Sequence, residues 1–117
     1  MRYRVCGMDA LQPGEKRGFE VNGRPIVLVR ALDGSFHALT DICPHQGARL
    51  SGGHLGGAIV SGEVGASLLT RSGEVLRCPW HNFAFDVRTG RSLLEPERYR
   101  ARTYRVHVED GAVVVEL

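Results

Sequence analysis

Cys43-Pro44-His45-Gln46-Gly47-Ala48 and Cys78-Pro79-Trp80-His81-Asn82-Phe83-Ala84-Phe85-Asp86 decide the reading of this chain. Residues 46–77 separate the first Cys-Pro-His from the second Cys-Pro-Trp-His. Each motif offers one thiolate and one imidazole, so the pair supplies two sulfur and two nitrogen ligands. From inside a flat strand, a cysteine and a histidine this close cannot both aim at one metal without strain; from a bent loop they can. Pro44 and Pro79 fix φ and remove a backbone donor where each loop has to turn. Asn82 tolerates positive φ, so a tight turn after His81 fits as well. Such a donor set suits an iron–sulfur centre or a tetrahedral zinc ion. Zinc is the lesser reading, because zinc fingers pair two cysteines and then two histidines, whereas here each loop mixes them.

Outward from the loops the chain reads as all-β. Arg2–Cys6 predicts a first strand, and Glu15–Val21 with Arg24–Arg30 flank Asn22-Gly23, a type I′ hairpin signal. Phe36–Asp41 follows the turn at Asp33-Gly34. Glu74–Arg77 enters the second motif, Ala84–Val87 leaves it, and Thr89-Gly90 turns the chain back. In the last hairpin a two-residue turn at Asp110-Gly111 sets Glu109 against Ala112, Val108 against Val113, Val106 against Val115 and Tyr104 against Leu117. Arg105 then meets Glu116 on the other face, so apolar pattern and turn geometry select one register. Residues 51–73 are glycine-rich; Ala58–Ser61 and Ser67–Thr70 predict short strands of an irregular hairpin, with no helix longer than two turns.

With 117 residues the chain predicts a single domain, 1–117. A formal net charge of +2 gives no case for nucleic acid, and fourteen arginines beside Lys16 read as compositional bias. Arg98, Arg100, Arg102 and Arg105 read as a solvated strand face. No apolar run reaches the length of a membrane span and no leader peptide is evident, which predicts a cytoplasmic protein without membrane association. Cys6 is left without a disulfide partner and reads as a half-buried free thiol. His54 reads as a surface loop residue, and His37 and His107 as solvent-facing strand residues. Asp41 and Asp86 read as turn or backbone-bonding carboxylates rather than general bases. No hydrolytic or nucleophilic constellation stands out, nor a triad of two histidines and a carboxylate for an oxygen-activating iron.

The two motifs, with Thr89-Gly90 closing the second, resemble the cluster loops of Rieske-type [2Fe–2S] ferredoxins, and the flanking hairpins extend the resemblance over essentially the whole chain. The resemblance implies an antiparallel β-sandwich with a cluster-binding subdomain over about residues 42–92. It implies Cys43 and Cys78 on the inner iron, and His45 and His81 on the outer iron with their outward edges near solvent. It also implies single-electron transfer from a reductase to an oxygenase-type partner, which would carry out the chemistry on substrate. A small subunit of a larger oxidoreductase, such as a nitrite reductase, is the alternative role. Two ferric ions, two sulfides and two thiolates sum to zero charge, against −2 for four thiolates. Reduction is therefore easier, in line with potentials raised from about −400 mV to roughly −150 to +300 mV. Respiratory Rieske proteins carry an extra cysteine in each loop; here Trp80 occupies that place in the second, so the resemblance is to the oxygenase-associated branch. The segment 51–73 is longer than in the simplest relatives and reads as an insertion. Pro44, Leu50, Pro79 and Phe83 read as an apolar collar around the histidines, and Trp80 as a shield packed on the opposite loop. Arg49 and Arg77 lie near the loops, where an acidic partner could reach them.

Overall fold

The computed structural model describes residues 1–44, 47–63, 66–79, 84–93 and 99–117, with 57–63 and 66–73 described by their backbone alone. The strands are β1 (Arg2–Gly7), β2 (Lys16–Val21), β3 (Arg24–Arg30), β4 (Phe36–Thr40), β5 (His54–Glu63), β6 (Ala66–Arg77), β7 (Ala84–Asp86), β8 (Thr103–Glu109) and β9 (Ala112–Glu116). A six-stranded sheet runs β1-β9-β8-β4-β3-β2, and a three-stranded sheet runs β5-β6-β7. All pairings are antiparallel. The only helices among the described residues are two short 3-10 turns, Met8–Ala10 and Leu50–Gly52. None is long and apolar enough to cross a membrane.

Turn chemistry sets the hairpins. Asn22 and Gly23 have φ of 49° and 77°, and Asp110 and Gly111 have 50° and 76°, the two positive angles a type I′ turn needs. Their strands keep the registers these turns impose: Val21 faces Arg24, Glu109 faces Ala112, Val108 faces Val113, Val106 faces Val115 and Arg105 faces Glu116.

β3 explains how two cores share one small chain. Ile26, Val27, Leu28 and Val29 are all buried, a continuous apolar run of the kind found where a strand is covered on both faces. Because side chains alternate, Ile26 and Leu28 join a core with Leu11, Val21, Ala38, Val113 and Val115. Val27 and Val29 point the other way, into a core containing Leu39, Leu50, Leu76, Phe85, Val87 and both loop cysteines. Burying each such side chain contributes about 2 kcal/mol, so β3 ties the two cores together energetically.

The segment 51–73 forms more regular structure than its glycines suggest. Ala58–Ser61 and Ser67–Thr70 do pair with each other (Ala58 with Thr70, Ile59 with Leu69, Val60 with Leu68, Ser61 with Ser67), and the pairing continues to His54 with Arg77. Register shifts at Gly56/Ala58 and Ser61/Glu63 absorb the irregularity as bulges. His54 therefore opens a strand, exposed, instead of lying in a loop.

A polar clamp joins the two sheets at the β3–β4 turn. The Arg88 guanidinium, just after β7, pairs with Glu74 on β6 and with Asp33 in the β3–β4 turn, the latter at 2.9 Å. Asp33 also accepts the Ser35 hydroxyl at 2.6 Å and the Ser35 N–H at 2.9 Å. These bonds, Ser35 first and Arg88 after, hold the Asp33 carboxyl down at about 2. His37 is half-buried rather than solvent-facing, lies 2.8 Å from the Ser35 hydroxyl, and has its pKa lowered, chiefly by burial. His107 is likewise half-buried, held between Arg2 and Glu109 on the outer side of the six-stranded sheet.

Candidate metal centre

Cys43 follows β4 by three residues, and Cys78 immediately follows β6. Both are unbridged thiols, 1% and 0% exposed, and both belong to the core that β3 shares with the loops. The first loop closes on itself. The N–H of Cys43 donates to the Ala48 carbonyl at 2.7 Å, and the N–H of Gly47 donates back to the Cys43 carbonyl at 2.7 Å, with Gly47 at φ 79°. Ala48 and Leu50 turn inward, whereas Pro44 and Pro79 are exposed. Pro79, after Cys78, approaches the 3-10 turn that follows the first loop: a Cβ on Gly52 would lie 3.9 Å from its ring. His45, Gln46, Trp80, His81, Asn82 and Phe83 lie outside the described residues.

Two frames fix these loops. Ahead of Cys43, the Asp41 carboxylate is 4% exposed and accepts the Ser51 N–H and the Ser51 hydroxyl, each at 2.6 Å. The Asp41 N–H donates to the Pro25 carbonyl at 2.9 Å, and Lys16 Nζ reaches the Ser51 carbonyl at 2.5 Å. Behind the second loop, the Asp86 carboxylate accepts the Arg88 N–H at 2.8 Å, and its carbonyl accepts the Gly90 N–H at 2.7 Å. Asp86 is thus a turn carboxylate, and Asp41 a backbone-bonding one whose partner lies ten residues on. Gly90, at φ 77°, leaves no room for a Cβ against the Ala101 carbonyl, and its own carbonyl accepts the Ala101 N–H at 2.7 Å.

One expectation needs correction. Leu50 is not part of an exposed collar; it is fully buried in the loop core, because the 3-10 turn Leu50–Gly52 rolls its side chain inward. Cys6 is partly buried against the other core, and that burial pushes its thiol pKa up, with Arg17 opposing. Arg100, Arg102 and Arg105 are exposed, and Arg102 stacks over the Tyr104 ring at 5.3 Å. Arg49 is exposed as well. Residues that sequence patterns miss are Gly53, whose Cα abuts the Arg77 carbonyl, and Arg88 of the clamp. Neither carries a local signal, because each acts through a neighbour distant in sequence.

The donor chemistry fits a metal–sulfur group. Two unbridged cysteines brought into one core can supply a pair of sulfur ligands, and metal binding is what would deprotonate them. Fold and cysteines together define an all-β protein in which two Cys-Pro segments each send a thiol into one core.

Comparison with known proteins makes the class specific. Residues 1–105 match the Rieske [2Fe-2S] domain. The ferredoxin component of the naphthalene 1,2-dioxygenase/salicylate 5-hydroxylase systems of a Ralstonia species is 30% identical over 110 residues, covering 94% of this chain and 89% of that one. A chain in the complex of reduced oxygenase and oxidized ferredoxin in carbazole 1,9a-dioxygenase superposes with a TM-score of 0.74 at 29% identity, covering 97% of this chain and 91% of that one. The putative NADH-dependent nitrite reductase small subunit of Mycobacterium tuberculosis gives 0.76 at 27%, covering 98% and 93%. This chain belongs to the Rieske [2Fe–2S] domain family. Its cofactor is a [2Fe–2S] cluster and its work is electron transfer.

Proposed function

We propose that this protein is the ferredoxin of an oxygenase system, taking single electrons from a reductase and delivering them to an oxygenase-type partner. Cys43 and Cys78 hold one iron and His45 and His81 the other, within a subdomain spanning about residues 42–92 of a single 1–117 domain. The observation that carries this reading is the pair of buried, unbridged thiols in one apolar core, each followed by an exposed proline. The cluster supplies one-electron redox chemistry when bound. The protein's residues do the rest. Cys43 and Cys78 anchor the inner side in a dry core, where water does not reach the sulfurs. The imidazoles of His45 and His81 would complete the ligand set, each with a second ring nitrogen able to hold a proton.

The choice of an oxygenase partner is supported by the dioxygenase ferredoxin relative and by the oxygenase–ferredoxin complex. The nitrite reductase small subunit supports a second reading, in which the chain works as a subunit of such an enzyme. In either role its place is the cytoplasm, with neither nucleic acid nor membrane as partner.

Purified anaerobically, the protein should be red-brown, with two irons and two sulfides per chain and a rhombic paramagnetic signal on reduction. Colourless protein with stoichiometric zinc would sink this assignment. Rapid reoxidation of the reduced protein by an isolated oxygenase supports the carrier; stable co-purification with a reductase subunit supports the second reading.

A further inference from the structure

Asp41 is one of only two polar or charged residues buried among the described ones, the other being Ser92. Asp41 stands two residues ahead of Cys43, so their Cα atoms are no more than about 7 Å apart. Oδ1 accepts the Ser51 N–H and Oδ2 the Ser51 hydroxyl, both at 2.6 Å, so one side chain joins the entry of the first loop to its exit. The surroundings are built around it. Gly18 on β2 has no Cβ; one placed there would lie 2.8 Å from Asp41 Oδ2 and 3.0 Å from Ser51 Oγ. Lys16, on the same strand, holds the Ser51 carbonyl at 2.5 Å and anchors the far end of the staple. Asp41 itself is tied to β3 through the Pro25 carbonyl. A hydrogen-bonding role alone could be filled by an amide. A buried carboxylate adds a negative charge, which acts strongly on an electron arriving nearby in a low-dielectric setting.

We propose that Asp41 is a positioning residue for the [2Fe–2S] cluster: its buried carboxylate staples both ends of the first loop, and its charge lowers the cluster's potential. The proposal rests on the reading of Cys43 as a ligand.

The test uses Asp41→Asn and Asp41→Ala in the holoprotein, with midpoint potential, reduced-state paramagnetic resonance and the rate of visible bleaching as readouts. Asparagine can bond both Ser51 groups, accepting the N–H and donating to the hydroxyl oxygen, but it carries no charge. It should keep the cluster as long as wild type does while the midpoint moves upward. Alanine leaves both Ser51 donors unmet and should bleach several-fold faster. An Asp41→Asn protein with an unchanged midpoint and unchanged resonance overturns the proposal, as does an Asp41→Ala protein that bleaches no faster than wild type. If Asp41→Asn does not fold, Ser51→Ala carries the test. By removing the hydroxyl donor to Oδ2 it should shift the resonance and hasten bleaching, and a silent Ser51→Ala overturns the proposal equally. Wild-type protein lacking the iron–sulfide spectrum overturns the ligand reading itself, a result distinct from an intact wild-type cluster beside a silent Asp41 variant.

Discussion

Gly53 packs so tightly on the carbonyl of Arg77 that a Cβ at residue 53 would fall on the carbonyl oxygen. Gly53 ends the 3-10 turn that follows the first loop, and Arg77 is the last residue of β6 before Cys78. The backbone-to-backbone approach sets how far the two loops stand apart. The same residue donates its N–H to the Leu50 carbonyl at 3.0 Å, so it cannot simply swing away.

Gly53→Ala should therefore act on both loops at once. The obstacle is backbone rather than a flexible side chain, so relief requires a strand or the turn to shift, at a cost of about 3 kcal/mol. Thermal unfolding should fall accordingly, and the purified variant should hold less iron per chain than wild type. A variant with wild-type melting and full iron content would show that the loops tolerate separation.

The Asp33–Arg88–Glu74 clamp predicts a specific acid response. The folded-state pKa of Asp33, about 2, lies below its ordinary value of 3.8. A carboxyl depressed on folding contributes stability that is fully present above its unfolded pKa and is lost as pH falls through the folded value. The window is thus between roughly pH 4 and pH 2. Asp33→Asn should flatten the acid-unfolding curve in that window relative to wild type, as followed by far-ultraviolet circular dichroism. Cluster chemistry is common to both proteins, so the difference between the curves isolates Asp33; curves that run parallel from pH 5 to pH 2 would remove it from the account.

The two cores separated by β3 make a contrast available. Leu28 is buried in the core without cysteines, and Leu76 in the core that contains Cys43 and Cys78. Truncating either to alanine should cost about 3 kcal/mol. Leu76→Ala should also open the surroundings of the sulfurs to water and oxidant, so its visible absorbance should bleach faster at equal loss of global stability. Equal bleaching rates in the two variants would mean that the cores respond as one unit.

Much of this architecture was legible from local chemistry. Asn22-Gly23 and Asp110-Gly111 name their turns, and the two-residue turn with the alternation Val106-His107-Val108 fixes the last register without any tertiary information. The family and its cluster followed from the two loop motifs, which pack so much ligand chemistry into so few residues that chance is a poor explanation. What local patterns could not reveal was action at a distance. Leu50 looks like any loop leucine until the 3-10 turn buries it, and the glycines at 56 and 57 look like breaks until a bulge carries the strand past them. Gly53 and Asp41 matter through Arg77 and Ser51, contacts set only when the loops come together.

His81→Cys tests the ligand assignment by charge. Replacing a neutral imidazole with a thiolate adds one negative charge to the centre and, provided the cluster forms, makes the arriving electron less welcome. The potential should fall by about 100 mV or more, toward the range of four-cysteine clusters. The proton linkage carried by that imidazole should vanish as well, so the midpoint of the variant should depend less on pH above neutrality than that of wild type. Protein film voltammetry measures both quantities in one series. A midpoint and pH slope identical to wild type would place His81 outside the ligand set.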